Sequence, residues 1–256
     1  MGPGPLGRIT LIHLISDLHL TPADNALLVR FRAYLKRLNP GDSLFILGDL
    51  FEYWLGDDAC EYLEQNQVEE ALTELADQGI STSFMRGNRD FLIGKDFAER
   101  CGITLLDDEH LLQLGDQPIL LMHGDSLCTD DRSHQVFRKM VRDRVWQEDF
   151  LSRPLSIRDE MAKAVRYRSE SGKTLKASAI MDVTQTAVDE VMRLHDVELL
   201  IHGHTHRPAV HQFSLPGSAS VHRVVLGDWG QAPSFIQLDQ HALELVHAGI
   251  SDRLVI

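Results

Sequence analysis

Five blocks of this 256-residue chain carry side chains that bind metal ions: Asp17-Leu18-His19, Gly48-Asp49, Gly87-Asn88, His123, and Gly203-His204-Thr205-His206. Two carboxylates, an amide oxygen and several imidazoles make a mixed oxygen and nitrogen donor set. Carboxylate and carbonyl oxygens suit harder cations such as Mn²⁺ and Mg²⁺, imidazole suits Mn, Fe and Zn, and a set without thiolate fits a structural zinc site poorly. About seven donors are too many for one tetrahedral ion and suit two. Two ions about 4 Å apart lower the pKa of a water and clamp phosphoryl oxygens during attack. Taken alone, the last block also reads as a solubilising His-rich turn or one structural ligand pair. The four other blocks argue against that plainer reading.

Each block follows a short run of strand character, mostly apolar except at 80–84: residues 9–15, 43–47, 80–84, 119–122 and 197–201. Alternation along a strand puts Asp17 with His19, and His204 with His206, on one side as each strand runs out. Between the strands, helices are expected over 24–38, 58–78, 96–100 and 181–194, with a further strand at 103–106. In the first, Leu27, Leu28, Phe31, Leu35 and Leu38 share a face, and Asn39-Pro40-Gly41 stops it. Strands alternating with helices predict an α/β sheet with its site outside the strands' carboxyl ends. The runs 221–226, 234–238 and 243–247 read as antiparallel strands of a second sheet, with Gly227-Asp228 as a turn.

Residues 126–180 have a different texture. They hold 12 of the 25 Lys and Arg residues against 8 of the 38 acidic ones, and their apolar residues recur at helical spacing. They are read as a helical insertion lying over the site, inside one domain spanning 1–256. The whole-chain charge of −13 argues against a nucleic-acid binder held by phosphate contacts. Cys60, Cys101 and Cys128 form no CxxC pair, which suits a reduced, cytoplasmic protein. Residues 1–7 lack the charged and apolar regions of a signal peptide, and no run is long enough to span a bilayer, so membrane contact is expected to be peripheral.

The five blocks, in order and across most of the chain, resemble the calcineurin-like metallophosphoesterases. The resemblance implies a four-layered α/β-β/α sandwich of two mixed β-sheets. It also implies two metal sites: Asp17, His19, Asp49 and His206 for one ion, and Asp49, Asn88, His123 and His204 for the other, with Asp49 bridging. Many members have histidine after the Gly-Asn pair, where it protonates the leaving group; here the residue is Arg89. A guanidinium stays charged and holds phosphoryl oxygens in a fork, so a leaving group that departs without strong protonation is expected. A pyrophosphate bond fits this better than an alkyl monoester.

Residues 48–57, 86–91, 123–131, 179–183 and 202–208 are similar to the UDP-2,3-diacylglucosamine diphosphatase subfamily of lipid A biosynthesis. That likeness implies Mn²⁺-dependent hydrolysis of UDP-2,3-diacylglucosamine to UMP and 2,3-diacylglucosamine 1-phosphate at the cytoplasmic face of the inner membrane, with Mg²⁺ or another divalent ion as an alternative. It implies catalytic roles for Asp49, Asn88, Arg89 and His204, and substrate contacts from Asn88, Arg89, Asp131, Ser169, Lys173, Lys176 and His204. The insertion would cap the diacylated sugar, its Lys and Arg meeting phosphate and its apolar residues the acyl chains. A monomer that touches the membrane surface and no nucleic acid is expected. Alternatives are another two-metal phosphoesterase, such as a nucleotide or protein phosphatase, and a non-catalytic metal-binding scaffold. His202 is expected to be a buried, hydrogen-bonded histidine outside the ligand set, and Asp125 either orients His123 or closes a turn. The role of His134 is open.

Overall fold

The computed structural model describes residues 10–173, 181–217 and 220–256, with backbone alone for 168–173. Ile12–Ile15 (β1), Ser43–Ile46 (β2), Ser81–Met85 (β3) and Ile103–Leu106 (β4) form the parallel part of a seven-stranded sheet. Between them run helices α1 (Asn25–Leu35), α2 (Asn66–Asp77) and α3 (Lys95–Cys101). Asp24 caps α1 by accepting the Leu27 N–H, and Gly102, in a left-handed conformation, ends α3. The helix expected over 58–78 is shorter at its start. Glu64 has φ +54°, and the chain makes a 3₁₀ turn at 57–59 before α2 begins. Asp57 is drawn away to accept the Gly94 and Phe97 N–H groups, and Asp58 to pair with Arg158.

The second sheet has five strands: Glu109–Leu114 (β5), Gln117–Met122 (β6), Leu199–His202 (β7), Ala209–Phe213 (β8) and Val221–Val225 (β9). Strands β6, β7 and β9 are parallel, and β5 and β8 pair antiparallel at the edges. The C-terminal strands therefore depart from expectation. Residues 221–225 lie parallel to β7, not antiparallel. Phe235–Leu238 (β10), Ala242–His247 (β11) and Ile250–Val255 (β12) extend the first sheet beside β1, instead of building the second. Partner choice of this kind depends on contacts distant in sequence, which a local pattern does not encode.

Side-chain alternation sorts the strands into layers. Leu14, Phe45 and Met85 of the first sheet meet Ile119, Leu121, Leu199, Ile201 and Val224 of the second in one core. Their neighbours Ile15, Leu44, Ile46 and Phe84 turn outward to Phe31, Leu72 and Phe97 of α1–α3. Leu120, Met122 and Leu200 turn the other way, onto Val188, Val191 and Met192 of α7 (Gln185–Leu194). Helices, sheet, sheet and helix give the four layers. Within residues 126–173 the described chain is mainly helical, with α4 (Arg132–Val141), α5 (Arg144–Leu151) and α6 (Leu155–Lys173). Phe51 and Trp54 stack at 4.6 Å inside the core, so they are packing residues.

Candidate active site

The parallel strands of both sheets deliver the site residues from their carboxyl ends. Asp17 and His19 follow β1, Asp49 follows β2, Asn88 follows β3, His123 follows β6, and His204 and His206 follow β7. Pleat alternation is not what aims them, since every strand ends before its ligand block. Among the described residues, eight non-glycine positions have positive φ, and Asp17, His19, Asp49, His204 and His206 are five of them. Left-handed backbone at an ordinary residue is held against a local cost, and such strain gathers at functional sites. Hydrogen bonds between the loops hold it here: Asp17 N–H to Gly48 O at 3.1 Å, His19 N–H to Asp49 O at 2.9 Å, and Gly203 N–H to His123 O at 2.9 Å. The motif glycines have a matching reason. A Cβ on Gly87 would stand 2.1 Å from Asp49 Oδ1, and one on Gly203 would stand 2.3 Å from Asp17 Oδ2.

Two clusters result. One donor atom each from Asp17, His19 and His206 lies within 4.8 Å of the others, and the same holds for Asp49, His123 and His204. Asp49 faces both clusters, with Oδ2 4.0 Å from His19 Nδ1 and Oδ1 3.7 Å from His123 Nε2. The Asn88 amide oxygen joins the second cluster, 3.1 Å from His123 Nε2.

The protons of these imidazoles can be assigned by elimination. His123 Nδ1 faces the Leu47 carbonyl at 2.8 Å and must donate to it, so a neutral ring turns the Nε2 lone pair toward Asn88 and Asp49. His206 Nδ1 faces the Asp228 carboxylate at 3.2 Å, which turns its Nε2 lone pair toward His19 Nε2 and Asp17 Oδ1, both at 3.3 Å. Buried Asp17 Oδ1 has no well-formed hydrogen bond. His19 Nδ1 has the Glu52 and Asp49 carboxylates near it, at 3.6 and 4.0 Å, which favour its proton there and leave the Nε2 lone pair facing into the cluster. Acceptors converging on acceptors need a cation, and the donor chemistry fits two divalent ones. A proton is the substitute. Burial opposes charge on His206, but Asp17 and Asp228 push it up to about 10; burial, then the neighbouring His123, hold His204 well below its ordinary value.

Several neighbours have roles that the sequence motifs did not reveal. Asp90, fully buried, accepts N–H groups from Gly87 at 2.8 Å, Asp49 at 3.2 Å and Leu50 at 2.8 Å, tying the Gly-Asp and Gly-Asn loops together. Glu52 lies 3.6 Å from His19 Nδ1, pairs with Arg89 at 3.0 Å, and meets Arg166 of α6. Asp228 lies in the expected Gly227-Asp228 turn, yet it follows the carboxyl end of β9 as the candidate ligands follow their strands. Asp125 does not hold His123; it accepts from Arg138 Nε at 3.0 Å and lies 3.8 Å from His134 Nε2. His134, in turn, lays its ring on His204 with centroids 5.1 Å apart, so it belongs to the site wall.

Among the expected substrate contacts, Asn88, Arg89 and His204 stand together at the clusters. Arg89 donates its backbone N–H to Asp49 Oδ1 at 2.8 Å. Asp131 caps α4, accepting from Ser133 Oγ at 2.8 Å and His134 N–H at 3.1 Å. The side chains of Ser169 and Lys173, and all of Lys176, lie outside the described residues.

His202 ends β7, with its side chain wholly buried. Nδ1 donates to Gly203 O at 2.8 Å and Nε2 accepts from Arg223 at 3.1 Å, so the ring is neutral scaffold. Burial, reinforced by Arg223, lowers its pKa to about 3. In the unfolded chain it regains about 6.5, so between those values the unfolded state binds the extra proton and stability falls as pH falls. We expect His202→Gln, which keeps an acceptor for Arg223, to lose less stability than the parent on acidification from pH 7 to 5. The difference should approach about 1 kcal/mol per pH unit in urea unfolding below pH 6.5. Parallel pH profiles for the two proteins would exclude a buried neutral His202.

Residues 10–208 match the calcineurin-like phosphoesterase family. The chain belongs to this family of metal-dependent hydrolases. It is 53% identical over 217 residues, 84% of this chain and 87% of the relative, to a UDP-2,3-diacylglucosamine hydrolase of Chromohalobacter salexigens. Proteins of that name from Edwardsiella ictaluri and Serratia proteamaculans are 45% and 44% identical over 233 residues, 91% of this chain and 90% and 96% of theirs. A solved structure of vacuolar protein sorting 29 from Cryptosporidium parvum aligns over 97% of each chain, with a TM-score of 0.46 and 17% identity.

Proposed function

We propose that the protein hydrolyses the pyrophosphate bond of UDP-2,3-diacylglucosamine, releasing UMP and 2,3-diacylglucosamine 1-phosphate in lipid A synthesis, with two Mn²⁺ ions as its cofactors. The observation that carries the chemistry is Asp49, whose two carboxylate oxygens face one donor cluster each. The substrate follows the names of relatives that match this chain over most of its length.

Asp17, His19, Asp49 and His206 would hold one cation, and Asp49, Asn88, His123 and His204 the other. When bound, the cations supply an activated water and neutralise charge on the phosphoryl oxygens. The chain does the rest. Arg89 is fixed at both backbone groups, its N–H on Asp49 and its carbonyl taking the Trp54 N–H at 3.1 Å, and Glu52 holds its guanidinium at 3.0 Å, where its remaining N–H groups can meet a phosphoryl oxygen. A guanidinium gives up no proton, which suits a phosphate leaving group that departs as an anion. Asn88 and His204 border the same space, while Asp131, Ser169, Lys173 and Lys176 complete the proposed substrate contacts.

Helices α4–α6 supply an apolar and basic cover. Val136, Met140, Val145, Leu151, Ile157, Val165 and Tyr167 are exposed there, among Arg132, Lys139 and Arg144. We assign this face to the acyl chains and to peripheral contact with the cytoplasmic surface of the inner membrane. Among the described residues, no helix is long and apolar enough to cross a membrane.

The test is product analysis. Metal-replete protein given UDP-2,3-diacylglucosamine should release UMP and no UDP; release of UDP would place cleavage at the sugar–phosphate bond and contradict the reading. Arg89→Ala should lower kcat by about a hundredfold or more while leaving metal content near that of the parent. Equal loss of metal and turnover would contradict its place on the phosphoryl group.

A further inference from the structure

Asp228 lies just past the carboxyl end of β9, and its side chain is held from both ends. Oδ2 faces His206 Nδ1 at 3.2 Å, and Oδ1 accepts the Gly230 N–H at 3.1 Å. The loop beneath it is clamped. Gly227 N–H donates to Ser234 Oγ at 2.8 Å, and the Arg30 guanidinium donates to the carbonyls of Trp229 at 2.5 Å and Gly230 at 3.0 Å. Trp229 is buried between Phe31 and Tyr34. A half-exposed carboxylate is therefore fixed behind one particular imidazole.

The other imidazoles of the two clusters are backed differently. His123 Nδ1 rests on the neutral Leu47 carbonyl at 2.8 Å. His19 Nδ1 has Glu52 at 3.6 Å, beyond hydrogen-bonding range. His204 packs against the rings of His123 and His134. Among the described residues, His206 alone of these four has a carboxylate within hydrogen-bonding distance of the nitrogen that faces away from its cluster.

We infer that Asp228 is a positioning residue that makes the Asp17–His19–His206 site the tighter of the two cation sites. Its carboxylate, 3.2 Å from Nδ1, favours the proton there and restrains the ring, so the Nε2 lone pair stays directed into the cluster. Its charge also adds to the attraction for a cation. Partners of this kind are worth about 10–100-fold in metal affinity. The effect should be confined to one site, because among the described residues no carboxylate lies within hydrogen-bonding distance of the outward nitrogen of His123 or His204.

This inference rests on the two-cation reading of the site. Its test is calorimetric titration of metal-stripped protein with Mn²⁺ at a fixed pH. Wild type should show two events of unequal affinity. Asp228→Ala should weaken the tighter event about 10–100-fold and leave the other in place. Asp228→Asn, which keeps an acceptor without the charge, should fall between. In a His123→Ala background, which removes a donor of the second site, the Asp228→Ala shift should persist. Melting of the metal-free Asp228 variants should stay near wild type, because the carboxylate is half exposed and the loop has other anchors. Unchanged affinities, equal weakening of both events, or a shift that vanishes with His123→Ala would overturn the assignment. A wild-type protein that binds fewer than two ions would overturn the two-cation reading beneath it.

Discussion

Replacing Asp49 with alanine is expected to lower kcat/KM by about a thousandfold or more and to leave the chain folded. The carboxylate is buried, and its two oxygens face the Asp17–His19–His206 and Asp49–His123–His204 clusters, one each. Removing it takes a donor from both sites at once, a larger loss than the 10–100-fold of a supporting contact. The stability cost should be small. The Arg89 N–H loses its acceptor at Asp49 Oδ1, worth about 1 kcal/mol, but the crowding of two buried carboxylates, Asp49 and Asp90, is relieved. Steady-state kinetics, bound-metal analysis and thermal melting of the purified variant check this together. A fully active Asp49→Ala protein would contradict the mechanism.

Asp90→Ala should have the largest effect on stability. Its carboxylate takes the Gly87, Asp49 and Leu50 N–H groups, with Phe51 N–H a longer fourth at 3.4 Å. Alanine leaves these buried donors without an acceptor, at about 1–3 kcal/mol each before the loops relax. A net loss of about 3–5 kcal/mol is expected in urea unfolding. Turnover should fall as well under native conditions, because Asn88 and Asp49 lose their common anchor. Burial, then the nearby Asp49, push Asp90 up to about 7. In the metal-free protein the native state therefore binds a proton that the unfolded chain lacks between about pH 4 and 7, and stability gains as pH falls through that window. This slope opposes that of His202, so each is visible only by comparing the parent with its own variant. A loss below about 1 kcal/mol for Asp90→Ala would contradict its role as anchor.

Much of the site was legible because metal-ligand chemistry is local in type and the carboxyl-end rule is general. Asp17, His19, Asp49, Asn88, His123, His204 and His206 all follow parallel strands and converge. The cause of their aim was not legible. Strand alternation suggested a shared side for Asp17 with His19 and for His204 with His206, whereas left-handed backbone and inter-loop hydrogen bonds set their directions. Asp90 and Asp228 escaped notice because a carboxylate that serves a backbone N–H or an imidazole looks in sequence like any turn residue. The rule that points to the candidate ligands also covers Asp228, once β9 is known to be parallel to β7.

The fold shows the same division. The apolar parallel strands β1, β2, β6 and β7 announce themselves by composition, whereas β3, Ser-Thr-Ser-Phe-Met, is marked by its place between a helix and the Gly-Asn block. Edge strands β5 and β8 are only partly buried, so Glu109–Leu114 and Ala209–Phe213 lack the continuous apolar pattern of central strands. The assignment of β10–β12 to the first sheet is set by pairing with β1, whose partner residues lie more than 200 positions away, as in His13 with Gln237.

One measurement bears most directly on the proposed activity: kcat/KM with Mn²⁺ for UDP-2,3-diacylglucosamine, its deacylated analogue and p-nitrophenyl phosphate, side by side. A two-cation site with a phosphate-holding Arg89 and an apolar cover predicts a clear preference for the acylated diphosphate over both others, abolished by Asp49→Ala. Equal or better turnover of the deacylated analogue or of the monoester would contradict it and point to a general phosphoesterase on the same scaffold.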